Sequence, residues 1–246
     1  MQRYFLDEPF DENGKTVIGK DDSKHIVRVM RMNVGDQIIA VHSGVAYTAI
    51  IRELGEETVF IERENDALPS NEMPVHVTIA CGLPKGDKFD LIVQKGTELG
   101  MSALIPFKAE RSVVKWDEKR GQKKIERLQK IAKEAAEQCH RSNIPSIENP
   151  FTLAQLLEVA NNYDILLIAD EEDAKKDERN RIADRLKTIK PNQSVLVVFG
   201  PEGGLSRNEA HAFFAKGFLS TSLGPRILRT ETAPLFLLSA MSCEFE

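Results

Sequence analysis

SVLVVFGPEGGLS, residues 194–206, decides the architecture. Its first part, 194–199, is an almost unbroken apolar run, as expected of a strand covered on both faces. The glycines of GPEGG then mark a sharp turn or a close backbone approach, because a missing Cβ permits both. Ser206 stands where a helix needs a cap, just ahead of the helical pattern 209–214. Strand, glycine turn and helix in that order form the repeating unit of a parallel α/β sheet.

Working outward, 164–169 is a second run of the same kind, and a helix is predicted near 177–188 between the two. Upstream, 74–81 and 103–107 read as strands. A helix at 88–99 turns Phe89, Ile92, Val93 and Leu99 inward. A long amphipathic helix at 119–139 carries Ile125, Leu128, Ile131, Ala132 and Ala135 at helical spacing. The first 70 residues have another rhythm, with short β-prone runs at 36–41, 46–51 and 58–61. Turns at 33–36, Ser43-Gly44 and Leu54-Gly55 separate them. Their close spacing predicts a small antiparallel barrel. One helix, at about 22–32, is capped by Asp22 or Ser23 and has Ile26, Val29 and Met30 as its apolar face. The polar stretch 63–72 reads as a linker. The expected fold class is therefore α/β: a barrel domain at 1–72 and a domain with a mostly parallel sheet at 73–246.

A chain of 246 residues can bury a sizeable core, and 41% hydrophobic with 29% charged residues is ordinary for a globular protein. No apolar run is long enough to span a bilayer, and the N-terminus lacks a basic start followed by an apolar stretch. Cys81, Cys139 and Cys243 are too few and too scattered for a disulfide framework or a cysteine zinc site, which suits a reducing, cytoplasmic setting. His25, His76 and His211 lack metal-ligand spacing, so no metal is expected. The net charge of −5 conceals an asymmetry: residues 71–150 carry 14 Lys/Arg against 11 Asp/Glu. That basic middle is where a polyanion could bind.

Three loops at the carboxyl ends of late strands can carry chemistry: 169–172, 200–206 and 223–234. Ligands bind at those ends in parallel sheets. GPEGGLS has neither the GxGxxG nor the P-loop spacing, which disfavours a dinucleotide or nucleoside triphosphate. Alone it could be only a tight turn. LGPRILRTETAP (223–234) adds a second glycine loop bearing Arg226 and Arg229, more than a connection needs.

FGPEGGLS (199–206) and SLGPRILRTETA (222–233) resemble the late motifs of SPOUT-superfamily methyltransferases, and among these the bacterial 16S rRNA (uracil-N3)-methyltransferase family. HIVRVMRMNVGD (25–36), KGTELG (95–100), ERSVVKW (110–116) and EAAEQCHRSNIP (134–145) are similar to further stretches of that family, in the same order. His140 departs from the pattern, standing where a smaller residue is expected. The resemblance implies a PUA-like barrel, a trefoil-knotted methyltransferase domain, S-adenosylmethionine as cofactor, a homodimer, and 16S rRNA or the small ribosomal subunit as partner. By position it implies cofactor contacts at Ala169, Glu171, Gly200, Pro201, Gly203, Gly204, Leu223, Gly224, Ile227 and Leu228.

Methylating uracil N3 requires loss of its proton, and the resulting charge spreads over O2 and O4. The site then needs a base and fixed donors. Arginine is a poor base and a good fixed cation. Arg229 is therefore assigned to the anion, with Arg226 its less certain partner. Glu231 is the candidate base and Glu202 the second. Favourable charge at the N-terminus of the last helix explains Glu231 equally well. Arg111 is placed to reach RNA or the target nucleotide, or else forms a surface ion pair. RNA contacts are expected from Lys123, Arg127 and Lys130 on the 119–139 helix, from Arg3, Lys24, Arg28 and Arg31, and from Arg141, although a solvated helix face is the commoner meaning of such a basic run. A ribose 2′-O-methyltransferase and a non-catalytic RNA-binding module are the competing readings.

Overall fold

The computed structural model describes residues 1–55, 57–169 and 181–246, which form two compact units. The first comprises Met1–Glu72 with Ala136–Asn143, and the second Met73–Ala135 with Ile144–Glu246. Residues 136–143 thus join the N-terminal unit, although the sequence reads as one uninterrupted second domain from residue 73.

The first unit is a five-stranded sheet of β1 (Arg3–Phe5), β2 (Lys15–Ile18), β3 (Gln37–His42), β4 (Val45–Leu54) and β5 (Val59–Arg63), ordered β1-β3-β4-β5-β2. Ser43 and Gly44 both have positive φ, 48° and 80°, and close a two-residue hairpin with His42 opposite Val45. Where the sequence predicts a small antiparallel barrel, the sheet curls into a half-barrel, with β1 parallel to β3 and the other pairs antiparallel. β1 and β2 were not legible because three or four residues carry too little periodicity.

The helix expected at 22–32 is a single turn, α1 (Lys20–Lys24), followed by a π-helix at His25–Met30 that ends at Arg31 in the left-handed region. Ile26 is fully buried, but Val29 is 66% exposed and Met30 also lies outside the core. The wider π turn rotates Val29 away from the face that Ile26 occupies.

In this unit Glu72 binds the 136–143 segment. Its Oε1 accepts from the backbone N–H groups of Ser142 (2.7 Å) and Asn143 (3.0 Å). Its Oε2 accepts from Arg141 Nε (3.0 Å) and Nη2 (2.5 Å). Arg3 Nη1 donates to the carbonyl of Arg141 (2.9 Å) and to Ser142 Oγ (3.3 Å). Arg3 and Arg141 are each 5% exposed, and their guanidinium groups bond within this unit. His140 has φ of 62°, which accounts for a smaller residue being expected there.

The second unit is a six-stranded sheet, parallel throughout: β6 (His76–Gly82), β7 (Ala103–Phe107), β8 (Ser146–Ile147), β9 (Ile165–Ala169), β10 (Ser194–Phe199) and β11 (Leu219–Ser220). The order is β11-β9-β10-β6-β7-β8. Val195, Val197 and Phe199 pack into one core cluster, Leu196 and Val198 into the other, so β10 is apolar from Val195 to Phe199 for a physical reason. Its helices are α2 (Lys88–Glu98), α3 (Glu118–Gln138), α4 (Leu153–Val159), α5 (Ile182–Leu186), α6 (Arg207–Ala215) and α7 (Thr232–Phe245). Glu171 and the first part of the helix expected at 177–188 lie outside the described residues.

Candidate functional site

After β6 the chain runs on to β7 on one side, and after β10 it skips past β9 to β11 on the other. Such divergence opens a crevice at the carboxyl ends of the strands. The two branches touch at its base. A Cβ on Gly82, which ends β6, would lie 2.4 Å from Pro201 N, so only glycine fits. The 200–204 turn is equally tight: a Cβ on Gly200 would meet the Gly204 carbonyl carbon and Leu205 N at 2.9 Å. Ser206 and Glu209 then form the expected cap as a reciprocal box. Ser206 Oγ accepts from Glu209 N, and Glu209 Oε2 accepts from Ser206 N at 2.8 Å. Glu209 Oε1 also accepts from Glu110 N at 2.8 Å, tying the loop after β7 to this helix.

A cavity of about 550 Å³ lies above these turns. Its lining brings together Ala169, Gly200, Pro201, Gly203, Gly204, Leu223, Gly224, Ile227 and Leu228 with Arg111, Arg226 and Arg229. Arg111 Nη1 donates to the Gly203 carbonyl at 3.3 Å, and a Cβ on Gly203 would press on Arg111 Cβ at 3.2 Å. Glycine at 203 therefore serves the approach of the Arg111 loop. The guanidinium groups of Arg226 and Arg229 have no hydrogen-bond or ion-pair partner among the described residues. Ile227, 74% exposed, stands at the rim.

One residue of the site was not singled out in the sequence. Lys88, at the start of α2, places Nζ 2.8 Å from Glu202 Oε1 and 3.2 Å from Glu231 Oε2. A lysine beside a glycine turn after the first strand of the sheet was the available clue. Hydrogen bonding to Glu202 raises the pKa of Lys88 against the opposing effect of burial, with Glu231 adding to it, so Lys88 stays cationic at neutral pH. Burial works to raise the Glu202 carboxyl. The Lys88 hydrogen bond, with the backbone N–H groups of Glu202 and Lys85, outweighs it and holds the group below the usual range. Burial, reinforced by Glu202 and Glu231, pushes the Cys81 thiol beneath them up to about 12, which removes it as a nucleophile.

These shifts fix a pH dependence. A carboxylate depressed in the folded state stabilises above its unfolded pKa, and that stability is lost as pH falls through the folded value. Lys88→Met is expected to cost about 1 kcal/mol or less at pH 7, since both partners are partly exposed. The difference in melting temperature between wild type and variant should vanish as Glu202 protonates in acid. A difference persisting at low pH would assign the effect to packing instead.

The expected basic row on α3 is divided. Arg127 pairs with Asp90 and, at 3.9 Å, Asp87, and so ties α3 to α2 and its neighbouring loop while its side chain stays exposed. Lys130 lies 3.9 Å from Glu134, whereas Lys123 is exposed and has no such partner among the described residues. In the other unit Arg28 and Arg31 are exposed on and after the π turn, and Lys24 lies 3.7 Å from Glu57. Among the described residues no group of three His, Cys, Asp or Glu side chains could hold a metal ion. No helix there is long and apolar enough to cross a membrane.

Residues 71–242 match the family described as an RNA methyltransferase domain, and 18–62 the RNA methyltransferase PUA domain. The ribosomal RNA small subunit methyltransferase E of Bacillus subtilis is 44% identical, over 100% of this chain and 98% of its own. A ribosomal RNA small subunit methyltransferase E from Neisseria gonorrhoeae, solved bound to S-adenosyl methionine, is 30% identical with a TM-score of 0.84, covering 98% of this chain and 96% of its own. A Legionella pneumophila protein solved with the cofactor SAM is 29% identical with a TM-score of 0.83 over the same shares.

Proposed function

We infer, since the chain belongs to the ribosomal RNA small subunit methyltransferase E family, that it methylates N3 of a uridine in 16S ribosomal RNA with S-adenosylmethionine. The observation that carries this reading is the cavity, in which glycine-rich main chain and two uncommitted arginines face one space.

The cavity fits the cofactor. About 550 Å³ lies within the roughly 300–1,000 Å³ usual for a small-molecule site. Leu223, Ile227, Leu228 and Pro201 offer apolar walls to a purine, while the 200–204 main chain offers polar contacts. When bound, the sulfonium supplies an electrophilic methyl group. Ala169 and Gly224 complete the proposed cofactor wall, and Glu171 belongs to it by family position.

The chain's own residues must then manage one proton and one anion. Arg229 is the proposed fixed donor to the uracil oxygens, with Arg226 and Arg111 nearer the incoming RNA. Lys88 cannot be the base, because its raised pKa keeps it protonated. Glu202, held ionised by three donors, is a weak base. Glu231 remains the proposed base, with Lys88 as its positioning residue. RNA contacts are assigned to Lys123, Arg28 and Arg31. The threaded course of a trefoil knot through 200–234 belongs to the same reading, as does a cytoplasmic setting.

A second copy is proposed on α7. This helix is apolar on nearly every side and leaves Phe236 exposed, with Leu91 exposed on the neighbouring α2. A monomer in sedimentation at micromolar concentration would count against it.

The test of function is labelled methyl transfer to small subunits lacking the modification, followed by nucleoside analysis. The expected product is 3-methyluridine. A 2′-O-methyl nucleoside would replace this reading with ribose methylation, and absence of transfer with an RNA-binding role.

A further inference from the structure

The loop that bears Arg111 also walls a second, larger concavity in the same unit. This groove of about 1170 Å³ is lined by Lys108, Lys119 and Lys123, by Trp116 and Asn149, and by Asp117 and Glu126. It exceeds the roughly 300–1,000 Å³ of a single small-molecule site, so it has the capacity of an extended ligand.

Its charges are unequally committed. Asp117 Oδ1 accepts from Arg120 N at 2.8 Å, and its Oδ2 lies 3.4 Å from Arg120 Nε. Glu126 accepts from Gln122 Nε2 at 3.1 Å. The ammonium groups of Lys108, Lys119 and Lys123, all exposed, have no partner among the described residues. Three lysines without a partner among the described residues therefore line one trough against the single carboxylate, Glu126, that no cation neutralises. Two of the three lie near the positive end of a helix of 21 residues.

An aromatic ring is fixed in the same wall. Lys124 Nζ lies 4.9 Å from the Trp116 ring centroid and Phe89 meets it edge-on at 5.6 Å. The indole Nε1 has no acceptor. Cations interleaved with an aromatic side chain and an amide are the elements that hold single-stranded nucleic acid: phosphates on the lysines, bases against the ring. The distance to the methyl-transfer cavity also fits. Trp116 lies five positions after Arg111, at most about 18 Å of extended chain.

We propose that this groove binds the single-stranded RNA flanking the target uridine, with its phosphates on Lys108, Lys119 and Lys123 and a base against Trp116 and Asn149. The proposal rests on the reading of this chain as an RNA methyltransferase.

Trp116 is the chain's single tryptophan, so its fluorescence reports this groove alone. A hexauridylate titrated into the full-length protein is expected to quench it saturably, in parallel with the anisotropy of a labelled copy. Lys119→Glu with Lys123→Glu should weaken binding at least tenfold. It should also reduce the slope of log K against log salt by about 1.4, the value for two lost single-strand phosphate contacts. Glutamate at 119 suits the first turn of the helix and Lys123 is exposed, so the fold should persist, as circular dichroism can verify. On small subunits the double variant should raise KM with kcat retained. Saturable anisotropy with unchanged fluorescence would overturn the proposal, as would a double variant with wild-type affinity and salt slope. The fluorescence titration needs no cofactor. Quenching without methyl transfer would therefore sink the activity and leave the groove, whereas transfer without quenching would do the reverse.

Discussion

Arg229→Ala is expected to lower kcat for methylation of small subunits by about 10²–10³, the usual loss when one preorganised donor to a developing anion is removed. Affinity for S-adenosylmethionine should be nearly unchanged. The separation of the two effects follows from how the residue is built in. Its carbonyl accepts from Thr232 N (2.9 Å) and Ala233 N (3.0 Å), which begin α7, so the main chain stays placed whatever side chain it bears. Leu223, Gly224, Ile227 and Leu228 should therefore keep the cofactor wall. What disappears is an unpaired guanidinium facing the cavity, where a uracil anion would gain most from it. The pH profile gives an independent readout. Without the cation the uracil must ionise with less help, so the variant's rate should keep rising at alkaline pH where the wild type levels off. Arg229→Lys restores charge without the planar fork and should recover part of the rate. Equal losses in kcat and cofactor affinity would show that Arg229 is a wall of the cofactor pocket.

The sheet of the second unit was legible because burial on both faces leaves a one-dimensional trace. Positions 195–199 have no solvent side, so the chain is apolar at each of them. The Ser43-Gly44 hairpin and the Ser206 cap were legible because their geometry restricts which residues can occupy them. The π turn was not, because an apolar spacing suited to an ordinary helix also accommodates a wider one until Val29 and Met30 are seen in solvent. β8, two residues long, is defined by its neighbour β7 and not by its own sequence.

The site divides in the same way. Its main-chain walls are announced by glycines, since Gly82, Gly200 and Gly203 each stand where a Cβ would press on another segment. Its ionic parts are not, because charge partners are set by tertiary approach. Lys88 lies more than a hundred residues from the two carboxylates it joins. Arg127 and Lys123, one helical turn apart, look equivalent in sequence, yet one is held by Asp90 and the other is unpaired among the described residues. Basic residues in a row therefore predict little about RNA until their acids have been located.

Glu72→Ala is expected to destabilise the N-terminal unit by about 3 kcal/mol, because removing one member of a buried ion pair takes its counter-charge from the other. The sequence reads Glu72 as the end of a polar linker, but its side chain is only 16% exposed, and that of Arg141 only 6%. Its carboxylate receives two guanidinium nitrogens and two backbone N–H groups, so alanine removes the counter-charge that Glu72 gives a buried cation and the acceptor of two amides. The lost free energy corresponds to a fall in melting temperature of roughly 6–12 °C for a chain of this size. A second substitution separates charge from packing. Arg141→Met in the Glu72→Ala background removes the buried cation and should recover part of the loss, although Ser142 N and Asn143 N remain unsatisfied. Arg3 depends on the same segment through its bonds to the Arg141 carbonyl and Ser142 Oγ, so Arg3→Met should be less costly once Glu72 is gone. Additive losses from Arg3→Met and Glu72→Ala would mean that the three side chains act separately and that 136–143 is held to this unit by other contacts. Strong coupling would make Glu72 the residue through which a segment distant in sequence is recruited to the N-terminal sheet.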